Sequence, residues 1–224
     1  MGVEMRIFTP AAILLALFNV VFGSVFLFEI SQGDEKAYVR WHTAAREDGL
    51  FTLASVNELE KVKHHLISDA GYNTLEWSFE KVFENTNYTV KSKDGQLLFC
   101  GVVNGKLVDK SFDCGEKSWF QFHALSLPRY INAEHSKVNF VSVRPDDAKV
   151  FELKAEYKGI ESVLVKGDSV KTMRIDVSLQ GLLSRFGNVT YWFRIDDGVF
   201  VKFRGMSGLP GSTPVIYELI KMEG

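Results

Sequence analysis

Proline is scarce in this chain, five residues in 224, and neither sign of charge prevails: 26 Lys and Arg against 28 Asp and Glu leave a formal net charge of −2. Few prolines and a hydrophobic fraction of 46% exclude a disordered chain and describe a folded one. The balanced charge removes any electrostatic ground for a nucleic acid or an anionic membrane surface as partner. Cysteine is rarer still. Cys100 and Cys114 form no C-x-x-C and no zinc-ligand spacing, which argues against thiol redox chemistry and a metal. The five histidines add no H-E-x-x-H. His64 and His65 point to opposite faces on a strand and diverge by about 100° on a helix, so neither arrangement chelates one ion. No cofactor is expected.

Other catalytic signatures are missing too. Ser207 in "GMSGLPG" lacks the G-x-S-x-G of a nucleophile elbow. Gly205, Gly208 and Gly211 are not followed by Lys-Ser/Thr, so they read as a long turn before "PVIYELIKM" and not as a phosphate cradle. Asp146-Asp147 and Asp196-Asp197 are sequence neighbours in turns, whereas paired general acids and bases converge across a cleft. No catalytic residue is assigned.

What is present begins with an apolar run from Ile7 to Phe28 that contains no charge until Glu29. Val21 and Gly23 are small enough for the −3 and −1 positions of a secretory cleavage site, which predicts a signal peptide over 1–23 and a single exported β-rich domain over 24–224. The expected location is the periplasm or cell envelope, with no transmembrane span after cleavage; the alternative is a membrane anchor through residues 7–28. Export places the two cysteines in an oxidising compartment, where a Cys100–Cys114 disulfide is the default.

Beyond that run the dominant signal is alternation with period two. Phe151, Leu153, Ala155 and Tyr157 alternate with polar or smaller neighbours, as do Met173, Ile175, Val177 and Leu179, and Leu75, Trp77 and Phe79. Between such runs lie "KDG" at 93–95, "NG" at 104–105, "KGDS" at 166–169 and "DDG" at 196–198. These suit short hairpin turns, hence an antiparallel meander. An Asn104-Gly105 turn sets Val103 opposite Lys106 and Cys100 opposite Asp109. Cys114 then lies roughly 16 Å further along, so a bridge requires the second strand to bend back near 110–112. In "YWFRIDDGVFVKFRG", a three-residue turn pairs Ile195 with Val199, Phe193 with Val201 and Tyr191 with Phe203, giving one apolar face. The other face sets Trp192 beside Lys202 and Arg194 beside Phe200. "NELEKVKHHLI" fits a helix capped by Asn57 or a strand equally well. "SWFQFHALSLPRYI" predicts a short helix from a Ser118 cap to Pro128. The expected fold is mainly β: an antiparallel curved meander sheet, or half-barrel, wrapped around a short helix.

The last third of the chain resembles the C-terminal part of DUF3108, a family of exported bacterial proteins. The residues concerned are Gly159-Ile160-Glu161, Met173 to Val177, Tyr191-Trp192 with Asp196 or Asp197, Val201-Lys202 and Glu218-Leu219. Phe200 stands where that family has proline before Val-Lys, and the glycine loop is longer. The resemblance implies a curved half-barrel similar to periplasmic lipoprotein carriers, a family with no assigned reaction, and no catalytic residue. A curved sheet of this kind either fills its concave face or leaves a pocket there. Trp41, Trp77, Trp119, Tyr191 and Phe193 are the candidate wall residues for a hydrophobic or lipid-like ligand. The alternatives are an envelope assembly factor acting through protein contacts and a hydrolase built from scattered His and carboxylate groups.

Overall fold

In the computed structural model, residues 20–181, 188–206 and 213–224 are described. The chain forms β1 (Val20–Gln32), β2 (Glu35–Arg46), β3 (Phe51–Asn57), β4 (Val62–Ser68), β5 (Thr74–Lys81), β6 (Thr86–Lys93), β7 (Gln96–Val103) and β8 (Lys106–Asp113). A two-residue β9 (Ser118–Trp119) and one helix, α1 (His123–Tyr130), follow. Then come β10 (Lys137–Arg144), β11 (Lys149–Val165), β12 (Asp168–Leu179), β13 (Asn188–Arg194), β14 (Phe200–Met206) and β15 (Pro214–Glu223). All belong to one sheet in the order 8-7-6-5-4-3-2-1-15-14-13-12-11-10-9, and every neighbouring pair is antiparallel except β9 with β10. The sheet is long, curved and not closed, and it wraps α1, as the period-two runs and turn spacings require.

Two-residue turns set the registers. Asp94-Gly95, Asn104-Gly105 and Lys166-Gly167 each place two consecutive residues at positive φ, the conformation that matches the twist of a tight hairpin. Val103 faces Lys106 and Cys100 faces Asp109, as read from the sequence. The disulfide does not form, because β8 continues straight to Asp113 opposite Gln96 and never bends back. Cys100 is exposed on the outer face, and the buried Cys114 thiol donates instead to the carbonyl of Gly95 at 2.9 Å.

One open alternative is settled and two further expectations are corrected. The 57–67 ambiguity resolves as a strand: Asn57 caps only a turn, its Oδ1 accepting the N–H of Leu59 and Glu60, and β4 starts at Val62. The helix begins at His123 and not at Ser118, which pairs with Phe140 in β9. Pro128 lies inside it, where its missing N–H leaves one carbonyl, that of Ala124, without its intrahelical donor. In the β13–β14 hairpin Tyr191 faces Phe203 and Trp192 faces Lys202 as expected. A bulge then sets Phe193 opposite Phe200 in place of Val201, and Phe200 turns inward, away from Arg194.

The core lines the concave face. Phe28, Leu53, Trp77, Phe79, Tyr88 and Phe99 come from one arm of the sheet, and Phe140, Ile175, Phe193 and Phe200 from the other, with Phe120, Leu127 and Ile131 from the α1 segment between them. The arms are joined by the β1–β15 ladder, and on the far side they meet through side chains. The buried hydroxyl of Tyr88 on β6 donates to the carbonyl of Pro145 at 2.9 Å, Asn104 donates to the carbonyl of Asp146, and the Lys110 ammonium donates to that of Ala148. Tyr88→Phe removes one of these links, and the urea midpoint should fall by the equivalent of about 1 kcal/mol. An unchanged midpoint would show that the arms do not depend on it.

The predicted signal segment falls largely on residues 1–19, outside the described residues. Gly23 is already part of β1, opposite Ala44, so a cut after it removes only the first residues of that strand. Residues 20–28 of the proposed 7–28 anchor likewise belong to β1. Among the described residues, no helix is long and apolar enough to cross a membrane. Ser207 and most of the glycine loop also fall outside them.

Candidate functional site

Strand alternation builds the site. Trp41 on β2, Ser55 on β3, His64 on β4, Phe79 on β5 and Tyr88 on β6 are successive cross-strand partners, so their side chains form one row on the inner face. At one end of the row Trp41 stacks on Phe200, with centroids 5.8 Å apart. It also meets Phe28 at 4.6 Å and the ring of Phe122, just before α1, edge-on at 5.5 Å. These rings form a wall across the concave face.

On each side of the wall is a cavity of about 410 Å³, within the size range of ligand pockets. Trp41, Ala124 and Phe200 border both. The first, the Arg129 cavity, is lined by Phe26, Phe51, Tyr72 and Leu125, with Arg129 and Asp197 among its polar groups. Arg129 sits 5.2 Å from the centre of the Tyr72 ring, and Asp197 is held by Arg194. The second, the His64 cavity, is lined by Ile30, Val39, Val62, Phe203 and Tyr217 together with Ser55, Asn57, Glu60, His64 and Gln121.

Of the five candidate wall residues, the structure brings two to the cavities: Trp41 borders both and Tyr191 the second. Trp77 and Phe193 are fully buried packing residues, and Trp119 is buried on β9 with its indole N–H donating to Gln121. Sequence reasoning missed Phe28, Phe122 and Phe200, and it missed His64, whose inward face shares the parity of Val62 and Leu66 once β4 is known to be a strand. His65 points outward, as a strand requires.

The polar chemistry is concentrated around two buried imidazoles. His123 Nδ1 lies 3.0 Å from the Tyr191 hydroxyl and Nε2 lies 3.1 Å from Ser142 Oγ. Burial lowers its pKa to about 4 and pushes that of Tyr191 up. The Ser–His contact has the spacing of a nucleophile and base, but among the described residues no carboxylate bonds the ring to stabilise an imidazolium, and the ring bridges two hydroxyls. His64 is likewise held neutral by burial, at about 4, and its Nδ1 accepts the Trp77 indole N–H at 3.3 Å. Tyr217, buried near the Glu60 charge, is pushed up to about 12. Among the described residues no group of three or more His, Cys, Asp and Glu side chains could hold a metal ion.

The same arrangement of strands occurs in a solved structure. A β-barrel-like protein of the domain of unknown function DUF1849 from Brucella abortus superposes with a TM-score of 0.57 at 10% identity, over 90% of this chain and 97% of that one. The two share a fold. Weaker likenesses are to the hypothetical lipoprotein YmcC from Escherichia coli, at TM-score 0.40 and 13% identity over 90% and 88% of the chains, and to a LolA-superfamily protein from Nitrosomonas europaea, at 0.25 and 8% over 90% and 84%. No family model matches the chain, so the DUF3108 resemblance gains no support, and no curated protein matches it in sequence.

Proposed function

We propose that this chain is an exported, non-enzymatic protein of the bacterial cell envelope that holds a hydrophobic or amphipathic molecule on the concave face of its sheet. The observation that carries the reading is the hollow interior. A sheet that needed only to be stable would fill that face, yet two aromatic-walled cavities of about 410 Å³ each remain beside α1. Burying apolar ligand surface there is favourable by about 25 cal/mol per Å². In this reading the N-terminal apolar segment directs export, and Trp41, Tyr191 and Phe200 contact the ligand.

Native mass spectrometry of protein purified from its own host tests this directly. Bound species of a few hundred daltons that leave on organic extraction, and an extracted protein that then takes up an uncharged naphthylamine dye, are the expected results. Protein that arrives bare and takes up no dye would remove the reading.

A further inference from the structure

If the concave face holds an amphiphile, as proposed above, its polar end must meet the protein somewhere, and the His64 cavity has donors waiting there. His64 accepts from Trp77 at Nδ1, so the neutral ring carries its proton on Nε2. Among the described residues that N–H has no acceptor, while the ring lines the cavity. Directly across the ladder is Ser55, 3% exposed, whose hydroxyl also has no partner there. Asn57, 7% exposed and on the same face of β3, commits its Oδ1 to two backbone N–H groups and leaves its amide NH₂ unpaired. Three donors that open onto one largely apolar cavity without a protein acceptor describe a place where an acceptor on a ligand can bind.

Charge narrows the choice. Among the described residues no Lys or Arg lines this cavity, and the one carboxylate there, Glu60, has no cation partner. Burial also keeps His64 uncharged. An anionic head group would be desolvated next to Glu60 with no cation to compensate it. The oxygen of an uncharged carbonyl would accept from two of these donors at no such cost, and a neighbouring ether or hydroxyl oxygen of the head could take the third.

We propose that the His64 cavity binds the uncharged carbonyl head of a single-chain amphiphile, an ester or amide of the monoacylglycerol kind, through His64 Nε2–H, the Ser55 hydroxyl and the Asn57 amide. The tail packs against Trp41, Phe200 and Phe203.

The test uses the full chain after extraction, loaded with N-phenyl-1-naphthylamine and titrated at pH 8 with monolaurin or with laurate. Monolaurin should displace the dye at a concentration at least tenfold lower than laurate. Glu60→Gln should narrow that gap several-fold by favouring laurate. His64→Phe should weaken monolaurin about tenfold and leave laurate unchanged, and Ser55→Ala, a change too small to threaten folding, should weaken monolaurin alone by several-fold. Laurate competing as well as monolaurin, or His64→Phe and Ser55→Ala weakening both ligands equally, overturns the head-group assignment while leaving the carrier reading in place. A dye that never binds overturns both.

Discussion

Between pH 6.5 and pH 4 the protein should lose on the order of 6 kcal/mol of stability, with full stability only above that window. The cause is the pair of buried imidazoles, His64 and His123, each lowered by burial from 6.5 to about 4. Once unfolded, both rings regain an ordinary pKa, so as pH falls the unfolded chain takes up protons that the folded one refuses, and the equilibrium moves toward unfolding. Each ring accounts for about 3 kcal/mol at 1.36 kcal/mol per pH unit, against a typical total stability of about 5–15 kcal/mol. Paired carboxylates act lower down: Asp147, bonded by Arg144, and Glu156, bonded by Lys154 and Lys158, are held at about 2, so their contribution persists until pH falls below their ordinary range. Urea unfolding at pH 8, 6 and 5 reads the slope. His123→Gln, which keeps a hydrogen-bonding side chain without a titrating ring, should remove about half of it. Equal urea midpoints at pH 8 and pH 5 would mean that the rings are not neutral in the fold.

Gly101→Ala should be the most damaging added methyl among the described glycines, costing roughly 3 kcal/mol or more. Gly101 lies opposite Tyr88, at φ +143°, and a Cβ there would stand 2.4 Å from the carbonyl oxygen of Asn87 and 2.5 Å from Cα of Tyr88. Both atoms are backbone, so no rotamer relieves the clash, and β6 must separate from β7. Because Tyr88 also carries the hydrogen bond to Pro145, the damage spreads to the contact between the two arms. Gly115 is the control: φ is +57°, but nothing lies within 4 Å of its added Cβ, so Gly115→Ala should cost only about 1 kcal/mol. Thermal unfolding of the two variants side by side measures the difference, and similar melting temperatures would contradict the close approach.

Local chemistry was legible in the sequence and long-range packing was not. Asn104-Gly105 and Lys166-Gly167 set their hairpins because a two-residue turn with positive φ admits one register, and the period-two runs identified the buried faces. The start of α1 was misplaced because Ser118 is taken by a parallel pairing with β10, a partner more than twenty residues away. Phe200 was assigned to the outer face because the bulge beside Phe193 answers to rings on β1 and β2, which the hairpin's own residues do not encode. The same limit hid the site. His64 looked like an ordinary histidine until β4 was fixed as a strand, and its free N–H emerges only once Trp77 is seen to occupy the other nitrogen.

The position of β15 has a consequence for how the molecule is assembled. β1 to β8 form one run of neighbouring hairpins and β10 to β15 another, and among the described residues the ladder that joins them is between β1 and β15. The N-terminal run can therefore pair with itself early, but its β1 flank stays bare until the ten-residue β15 is in place. Until then the exposed flank is a template for any other extended chain. Closing it also demands the longest sequence separation in the fold, so this pairing should be the slow step of folding and the point at which an incompletely folded copy is most open to a chaperone.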